Sequence, residues 1–436
     1  MRHLLARAAL SGSAIVLALT CARTASAAEE PAPGSAPFAW GDFTWMNGQS
    51  RQKSFPLDFS KYLTVSLYLD TYYAYSFNHP RDNTLTATAS VARHNEIQIN
   101  LASVGFEWNY KNVIGRLSLQ WGNMLNVVQD LDGSTARGRS LTSQNMRYMR
   151  EATLGYHFDV QSGLNLEAGM FMSYIGLESY LLAENWNYSR SMVCEATPFY
   201  FHGVRAQYFP TPKVKIEPWL MNGWQTYGKW NFAPSTGLAI RWNPTEAIGV
   251  MANFYVGTDT RGISDRVRFH HDDSLLIKYY DRPEASGISK LAVSVNNHVG
   301  FESGGEGQPG PERAHVLGTS IAHRVTFSRD HFAFTVRGEY FSNPSRYLAS
   351  YAPPGFSQVP GDSLRAYGGT ATFEYMPVDF LGVRAEVVHR RSNVPYFAGP
   401  GGTTSADGYQ DGSTAGFVVD ARKQQTLAVL SANFRL

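Results

Sequence analysis

Charged side chains recur at alternate positions in the second half of the chain. Arg337-Gly338-Glu339 and Arg384-Ala385-Glu386 repeat one pattern, and Glu374 and Arg390 lie close to the second pair. In an extended chain every second residue shares a face, so each Arg–Glu pair projects to one side. Both pairs follow a short turn by a few residues, which predicts similar heights. Such a row could impose a transverse field on a passing polar solute. It could equally neutralise itself and let charged residues line a wall. The second reading is favoured, because ionic networks perturb charges without being sites. Both readings require a wet interior. His270-His271-Asp272-Asp273 is a run of metal-ligand side chains. Neighbours on an extended chain point to opposite faces and cannot all converge on one ion, so a solvated outer loop is expected. Asp130-Leu131-Asp132-Gly133 opens like a calcium loop, with no glutamate at the required spacing. His389, with Ser392 and Asn393 beyond it, is the nearest approach to a base–nucleophile set. No Gly-x-Ser-x-Gly and no spaced carboxylate pair accompanies it. The expectation is no catalysis, no cofactor and no metal.

The elements that must position these residues are strands. In Leu63–Phe77, Leu63, Val65, Leu67, Leu69, Tyr73, Tyr75 and Phe77 share one face, while Thr64, Ser66, Tyr68, Asp70, Tyr72, Ala74 and Ser76 share the other. Period two is the strand signature. The run is longer than the about 5–6 residues usual in soluble strands, and suits a tilted membrane-spanning strand of about 9–11. The first face is read as lipid-facing and the second, with Asp70 in mid-strand, as facing water. The next strand, Glu96–Tyr110, puts Ile97, Ile99 and Leu101, then Val104, Phe106, Trp108 and Tyr110, outward. The phase slip predicts a β-bulge near Ala102-Ser103. Arg116, Glu151, Arg205 and Arg241 fall on the inward faces of later strands. Glycines at 115, 155, 169, 203, 249, 368 and 382 are read as small inner-face residues that leave space. About sixteen strands emerge. Short turns (Lys111-Asn112, Asp159 to Gly163, Asn243 to Glu246, Ser328 to His331, Pro377 to Phe380) alternate with long loops. The fold expected is all-β: a transmembrane antiparallel up-and-down β-barrel over residues 59–436, with short periplasmic turns and long extracellular loops.

Composition agrees. Aromatic residues make up 13% of the 436, yet mean hydropathy is only −0.26. Strands that are half polar, with aromatic girdles, produce both values. Arg2, His3 and Arg7 precede the apolar run Ala14–Leu19 and the small-residue site Ala25-Ser26-Ala27, the pattern of a cleaved secretory signal over residues 1–27. Its removal leaves Cys194 as the only cysteine, so no disulfide framework and no cysteine-built metal site is expected. It also takes three arginines and no acid, leaving a formal charge of −1. No basic excess points to nucleic acid. Residues 28–58 form a Pro-, Gly- and aromatic-rich lead segment placed on the periplasmic side.

DTYYAYSFNHP (70–80), RHNEIQINL (93–101), NWNYSRS (185–191), PWLMNGWQTYGKWN (218–231), HHDDSLLIKYYDRP (270–283) and SNVPYFAGPGG (392–402) together resemble the OmpL-like β-barrel porin family of Gram-negative outer membranes. The lead stretch FAWGDFTWMNG (38–48) is similar as well. The resemblance implies a porin-type barrel in the outer membrane and no particular solute. Barrels of this kind usually end in Phe, read by the barrel-assembly machinery, whereas this chain ends Phe434-Arg435-Leu436.

The function expected is a channel for passive diffusion of small hydrophilic solutes. A non-conducting surface scaffold or adhesin, and an outer-membrane barrel enzyme, are the alternatives. Expected partners are outer-membrane lipid, lipopolysaccharide, the assembly machinery and the solutes, and a homo-oligomer is compatible. Asp70, Arg116, Glu151, Arg205, Arg241, Arg337, Glu339, Glu374, Arg384, Glu386 and Arg390 are the expected pore-lining residues. A barrel of about sixteen strands is wide enough for water unless a loop narrows it. The expected constriction is the aromatic loop from Ile175 to Phe199, through Tyr180, Glu184, Trp186, Arg190 and Glu195. Glu184 and Glu195 are expected to face Arg337 and Arg384. The glycine-rich loop from Asn393 to Lys423 is the second candidate.

Overall fold

The computed structural model describes residues 32, 35–129, 132, 146–345, 347–348 and 363–436. The expected signal peptide, the start of the lead segment and all of the Asp130–Gly133 run except Asp132 lie outside them.

Sixteen antiparallel strands close into a barrel. In chain order they are β1 (Leu63–Ser76), β2 (Ile97–Tyr110), β3 (Val113–Trp121), β4 (Met149–Phe158), β5 (Leu164–Met172), β6 (Tyr200–Thr211), β7 (Val214–Met221) and β8 (Ser235–Thr245). There follow β9 (Ile248–Gly257), β10 (Val267–Asp281), β11 (Ile288–Ser303), β12 (His315–Phe327), β13 (Phe332–Pro344), β14 (Ser363–Val378), β15 (Leu381–Ser392) and β16 (Gln424–Arg435). Each strand pairs with the next. β16 returns to β1, with Leu427 opposite Ser76 and Arg435 opposite Tyr68. Closure leaves no open sheet edge, which hydrocarbon requires. A short strand, Asp58–Ser60, pairs with the start of β1. Among the described residues no helix is long and apolar enough to cross a membrane.

The period-two reading of β1 holds: Leu67 and Leu69 are exposed, whereas Tyr68, Asp70, Tyr72, Ala74 and Ser76 are buried. Outward apolar residues such as Ile97, Leu154, Val387 and Leu430 give the wall an exposed hydrophobic face. Aromatic pairs sit near the short turns, as in Tyr62–Tyr110 at 5.1 Å and Phe332–Tyr375 at 4.9 Å between ring centroids. Others sit toward the long loops, as in Tyr75–Phe77 at 5.4 Å. Two girdles around an apolar band match a bilayer. Lys111 and Asn112 both have positive φ, 47° and 66°, the backbone that joins twisted hairpin strands tightly.

Three local expectations are corrected. The bulge in β2 falls earlier than Ala102: Asp70 faces Leu101 and Thr71 faces Ile99, so Asn100 is the extra residue. Leu101 therefore points inward and is buried. Asn243 and Pro244 continue β8, and the turn is Glu246-Ala247. Gly115 lies opposite Trp108 on the outer face, where a Cβ would fall 2.1 Å from the indole. It makes room for an aromatic ring rather than for a lumen.

A closed barrel of this size resists detergent until heated. Unheated and boiled samples of the mature protein should migrate differently on a denaturing gel; a single mobility, with recovery in the soluble fraction, would contradict this architecture.

Candidate channel constriction

Two segments enter the barrel and meet inside it. From the short-turn side, the lead segment crosses the mouth: Phe38 N–H donates to Pro212 O and Trp45 Nε1–H to Glu246 O, each 2.9 Å. It does not stay outside. Met46 reaches the inner wall, where a Cβ on Gly249 would lie 2.0 Å from its methyl carbon. The inner-face glycine therefore accommodates protein, not solvent. Gly368 is likewise overlain by Arg390 and Glu339.

From the long-loop side comes the segment between β5 and β6. It holds a 3-10 turn, Leu182–Glu184, and a short helix, Met192–Ala196. Its centre is Trp186, fully buried. The indole N–H donates to Trp45 O (2.9 Å), and the backbone N–H donates to Asn47 Oδ1 (2.8 Å). Trp186 packs with Trp45, Met46 and Leu177 against Leu276, Ala292 and Ala322 of the wall. Burying an indole of about 150–250 Å² at about 25 cal/mol per Å² contributes on the order of 5 kcal/mol before ordering costs. That gain favours the loop inside over the loop in water.

The charged wall on β13–β15 is the seat of this loop. Arg384 pairs with Glu374 (2.8 Å) and donates to Leu182 O (2.8 Å), Ala183 O (3.1 Å) and Asn185 O (2.9 Å). Glu386 accepts Tyr188 N–H (2.7 Å) and Ser189 N–H (2.9 Å). Glu339 accepts Met192 N–H (2.6 Å) and pairs with Arg390 (2.9 Å), which donates to Arg190 O (2.6 Å). Asp70 accepts from Asn100 (2.9 Å) and from the Tyr188 hydroxyl (3.1 Å). Arg384, Glu386, Glu339 and Arg390 thus satisfy backbone groups that a chain inside a barrel would otherwise leave unpaired, and Asp70 holds the loop through the Tyr188 side chain.

Glu374 is the hub. It pairs with Arg324 (2.6 Å), Arg384 (2.8 Å) and Arg51 of the lead segment (2.8 Å). Arg51 also donates to Ala183 O and Asn185 O, 2.8 Å each, so one side chain joins both inserted segments. Burial, only partly offset by Glu374, lowers Arg51 to about 10. Its guanidinium stays charged at neutral pH.

The expected partners across the lumen are different ones. Arg337 pairs with Glu178 (2.7 Å) and donates to Ser189 O (2.7 Å). Glu184 pairs with Arg435. Glu195 accepts from Thr88 Oγ1 (2.8 Å) and Ala89 N–H (2.8 Å), in the loop between β1 and β2. The short helix turns Glu195 away from the wall, and no periodicity in the sequence marks that turn. Nor are the two Arg–Glu pairs level: Arg384 lies opposite Glu374, which lies opposite Ala333, whereas Arg337 lies opposite Thr370. Sequence reasoning missed Glu178, Arg51 and Arg324. Only Arg324 carried a signal, its inward phase on β12.

What space remains is polar. A cavity of about 460 Å³ lies between the loop and the opposite wall, bordered by Arg116, Glu151, Arg241, Tyr180, Glu184 and Arg190. Arg116 bridges Glu107 (3.0 Å) and Glu151 (3.1 Å). Arg241 is held by the neutral Gln49 (2.9 Å) and Asn243 (3.2 Å). Arg205 pairs with Glu167 (2.8 Å) under Phe171. Tyr180 donates to Gln120 (3.0 Å). Beneath the loop a second cavity, about 310 Å³, is bordered by Arg51, Arg324, Glu374 and Arg384.

The profile of the family described as "putative beta-barrel porin-2, OmpL-like" matches residues 62–435. The chain belongs to that family. Its barrel is also similar to solved outer-membrane proteins. The outer membrane channel DcaP of Acinetobacter baumannii is 10% identical with a TM-score of 0.50, over 86% of this chain and 97% of that one. OmpT of Vibrio cholerae is 10% identical with a TM-score of 0.47, over 87% and 100%. An anion-selective porin from Comamonas acidovorans is 8% identical with a TM-score of 0.48, over 86% and 99%. At 10% identity the likeness to DcaP is one of fold. No curated protein sequence matches the chain. Family and fold together place this OmpL-like porin in the outer membrane.

Other candidate clusters in the porin resolve as follows. His270–Asp273 is not an outer loop but part of β10. His270 and Asp272 are buried inward, and His271 pairs with Asp273 on the other face (3.5 Å). His298 of β11 joins the inward pair, with the three ligand atoms within 4.8 Å of one another. His389 is exposed and bonds Thr426 (2.8 Å), whereas Ser392 is buried and donates to Val394 O (2.6 Å). The two are not brought together. Asp132 accepts from the Tyr200 hydroxyl (2.6 Å).

Proposed function

We propose that this porin is a passive channel for small hydrophilic solutes and that it favours anions. The observation carrying this is the charge around the larger cavity, where Arg116, Arg150, Arg190, Lys215, Arg241 and Arg435 outnumber Glu107, Glu151, Glu178 and Glu184. Arg241 has neutral hydrogen-bond partners, and Nε and Nη1 of Arg190, whose guanidinium lies over the Phe199 ring, have no hydrogen-bond partner among the described residues. Cations so placed attract counter-ions into a narrow polar passage. On this reading the porin acts without catalysis or cofactor. Its partners are outer-membrane lipid, lipopolysaccharide, the assembly machinery and the solutes, with a homo-oligomer compatible.

Planar-bilayer recording tests the proposal. Purified protein should give stepwise conductance, and a salt gradient should give a reversal potential of the sign for anion preference. Arg116→Gln combined with Arg241→Gln should move that potential toward the cation side. Folded protein that never conducts would favour a scaffold. Lipid hydrolysis abolished by His389→Ala would favour an enzyme.

A further inference from the structure

The hydrogen bonds around His270 and His298 assign a proton to each ring, and they assign them awkwardly. The Tyr347 hydroxyl donates its single proton to Phe269 O at 2.8 Å. It lies 3.2 Å from His270 Nδ1, so it must accept there. Nδ1 of His270 is therefore the protonated nitrogen, and Nε2 carries a bare lone pair. On the second ring, His298 Nε2 lies 2.9 Å from Asn296 Oδ1. The orientation of that amide is set by its nitrogen, which donates to Asp273 O (3.1 Å) and Ser274 Oγ (3.0 Å). Oδ1 can only accept, so His298 Nε2 carries the proton and Nδ1 is bare. The two bare nitrogens, His270 Nε2 and His298 Nδ1, face each other at 3.0 Å.

Two lone pairs at that distance repel unless an electrophile lies between them. A third donor points to what it is. Asp272 is fully buried; Oδ2 accepts from Asn253 (2.9 Å) and the backbone N–H of Gly176 approaches the carboxylate, while Oδ1 completes no hydrogen bond among the described residues. A buried carboxylate oxygen without a partner is costly. Ligand atoms of His270, Asp272 and His298 all lie within 4.8 Å of one another. Two nitrogens each about 2.0–2.1 Å from one zinc ion, at angles between a right angle and tetrahedral, would be about 2.8–3.4 Å apart.

We propose that His270, His298 and Asp272 form a site for a divalent transition-metal ion of the zinc type. Two imidazoles and one carboxylate suit such an ion better than calcium or magnesium, which take oxygen ligands. Tyr347 and Asn296 are the outer partners that fix the tautomers. The surroundings are shaped for this arrangement. A Cβ on Gly300 would lie 2.8 Å from His270 Nδ1 and 2.5 Å from the Tyr347 hydroxyl. Gly176 and Cys194, from the inserted loop, lie against the His298 side of the site. The ion would cross-link β10 to β11 beneath that loop and stiffen its seat.

The test uses untagged, refolded full-length mature barrel in detergent, stripped with a chelator, equilibrated with zinc chloride and desalted. Zinc measured by mass spectrometry should approach one per chain. The double variant His270→Ala, His298→Ala should fall to background, and His271→Ala, on the opposite face, should retain the ion. Asn296→Ala should bind about 10–100-fold more weakly. Wild-type protein that holds zinc only at background would overturn the proposal and leave a shared proton as the resolution of the facing lone pairs. Zinc retained by the double variant would overturn it too. If the double variant loses its heat-modifiable band, His298→Gln, checked for that band, replaces it. Cobalt loading gives a second readout: absorption bands of a bound ion in wild type that are lost in His298→Gln.

Discussion

Replacing Leu181–Met192 by a short glycine–serine linker should raise single-channel conductance severalfold while the barrel still assembles. The strands do not depend on this loop for closure, since every pairing from β1 to β16 is made within the wall. The removed stretch contains Trp186 and the backbone groups that cover Arg384, Glu386 and Glu339. Without it, water takes their place, and the lead segment loses the indole that packs on Trp45 and Met46. A wall of sixteen strands then encloses an aqueous channel. The last loop provides the contrast. Its glycine-rich part is tied to the first loop, with Thr403 and Thr404 donating to Asp82. Removing Gly399–Gly412 should change conductance little. Should conductance rise with that deletion and stay constant with the first, the gate is the last loop.

The second large effect is expected from one atom change. Glu374→Gln keeps the side-chain shape but removes the charge shared by Arg51, Arg324 and Arg384. Three guanidinium groups would then converge on a neutral amide. Breaking a buried ion network by removing one partner costs about 3–5 kcal/mol. The lower end applies here, because the adjoining 310 Å³ cavity can admit water. The relief available is for the lead segment to leave, taking Arg51 with it. Trypsin should therefore cut after Arg51 much faster in the variant, and bilayer currents should become noisier. Unchanged cleavage and quiet currents would mean that the lead segment is held by its apolar contacts alone.

Both predictions turn on how the lumen is filled, which is where the sequence is least informative. The wall was legible because its code is local. A strand between lipid and water must alternate, so Leu67 and Tyr68 declare opposite faces from their types alone, and the turn at Lys111-Asn112 declares itself by length. The same code placed Asp70, Arg337, Glu374 and Arg384 on the inner face. The aromatic loop through Trp186 was legible as an insertion for a similar reason, since so much apolar area is poorly placed in water.

Partner choice across the barrel is not local. Arg337 meets Glu178, and not Glu184 or Glu195, because a short helix in the loop rotates Glu195 toward the first loop. Nothing in the period of the sequence encodes that rotation. Arg51 reaches Glu374 across 323 positions because the lead segment enters the lumen, and the segment has no alternation to reveal its path. His270 and Asp272 share a face by simple alternation, but His298 joins them only through the register of β10 on β11, which sets Asp272 opposite His298. Alternation determines which way a side chain points. Register and the paths of inserted segments determine what it meets, and those are settled by the closed barrel as a whole.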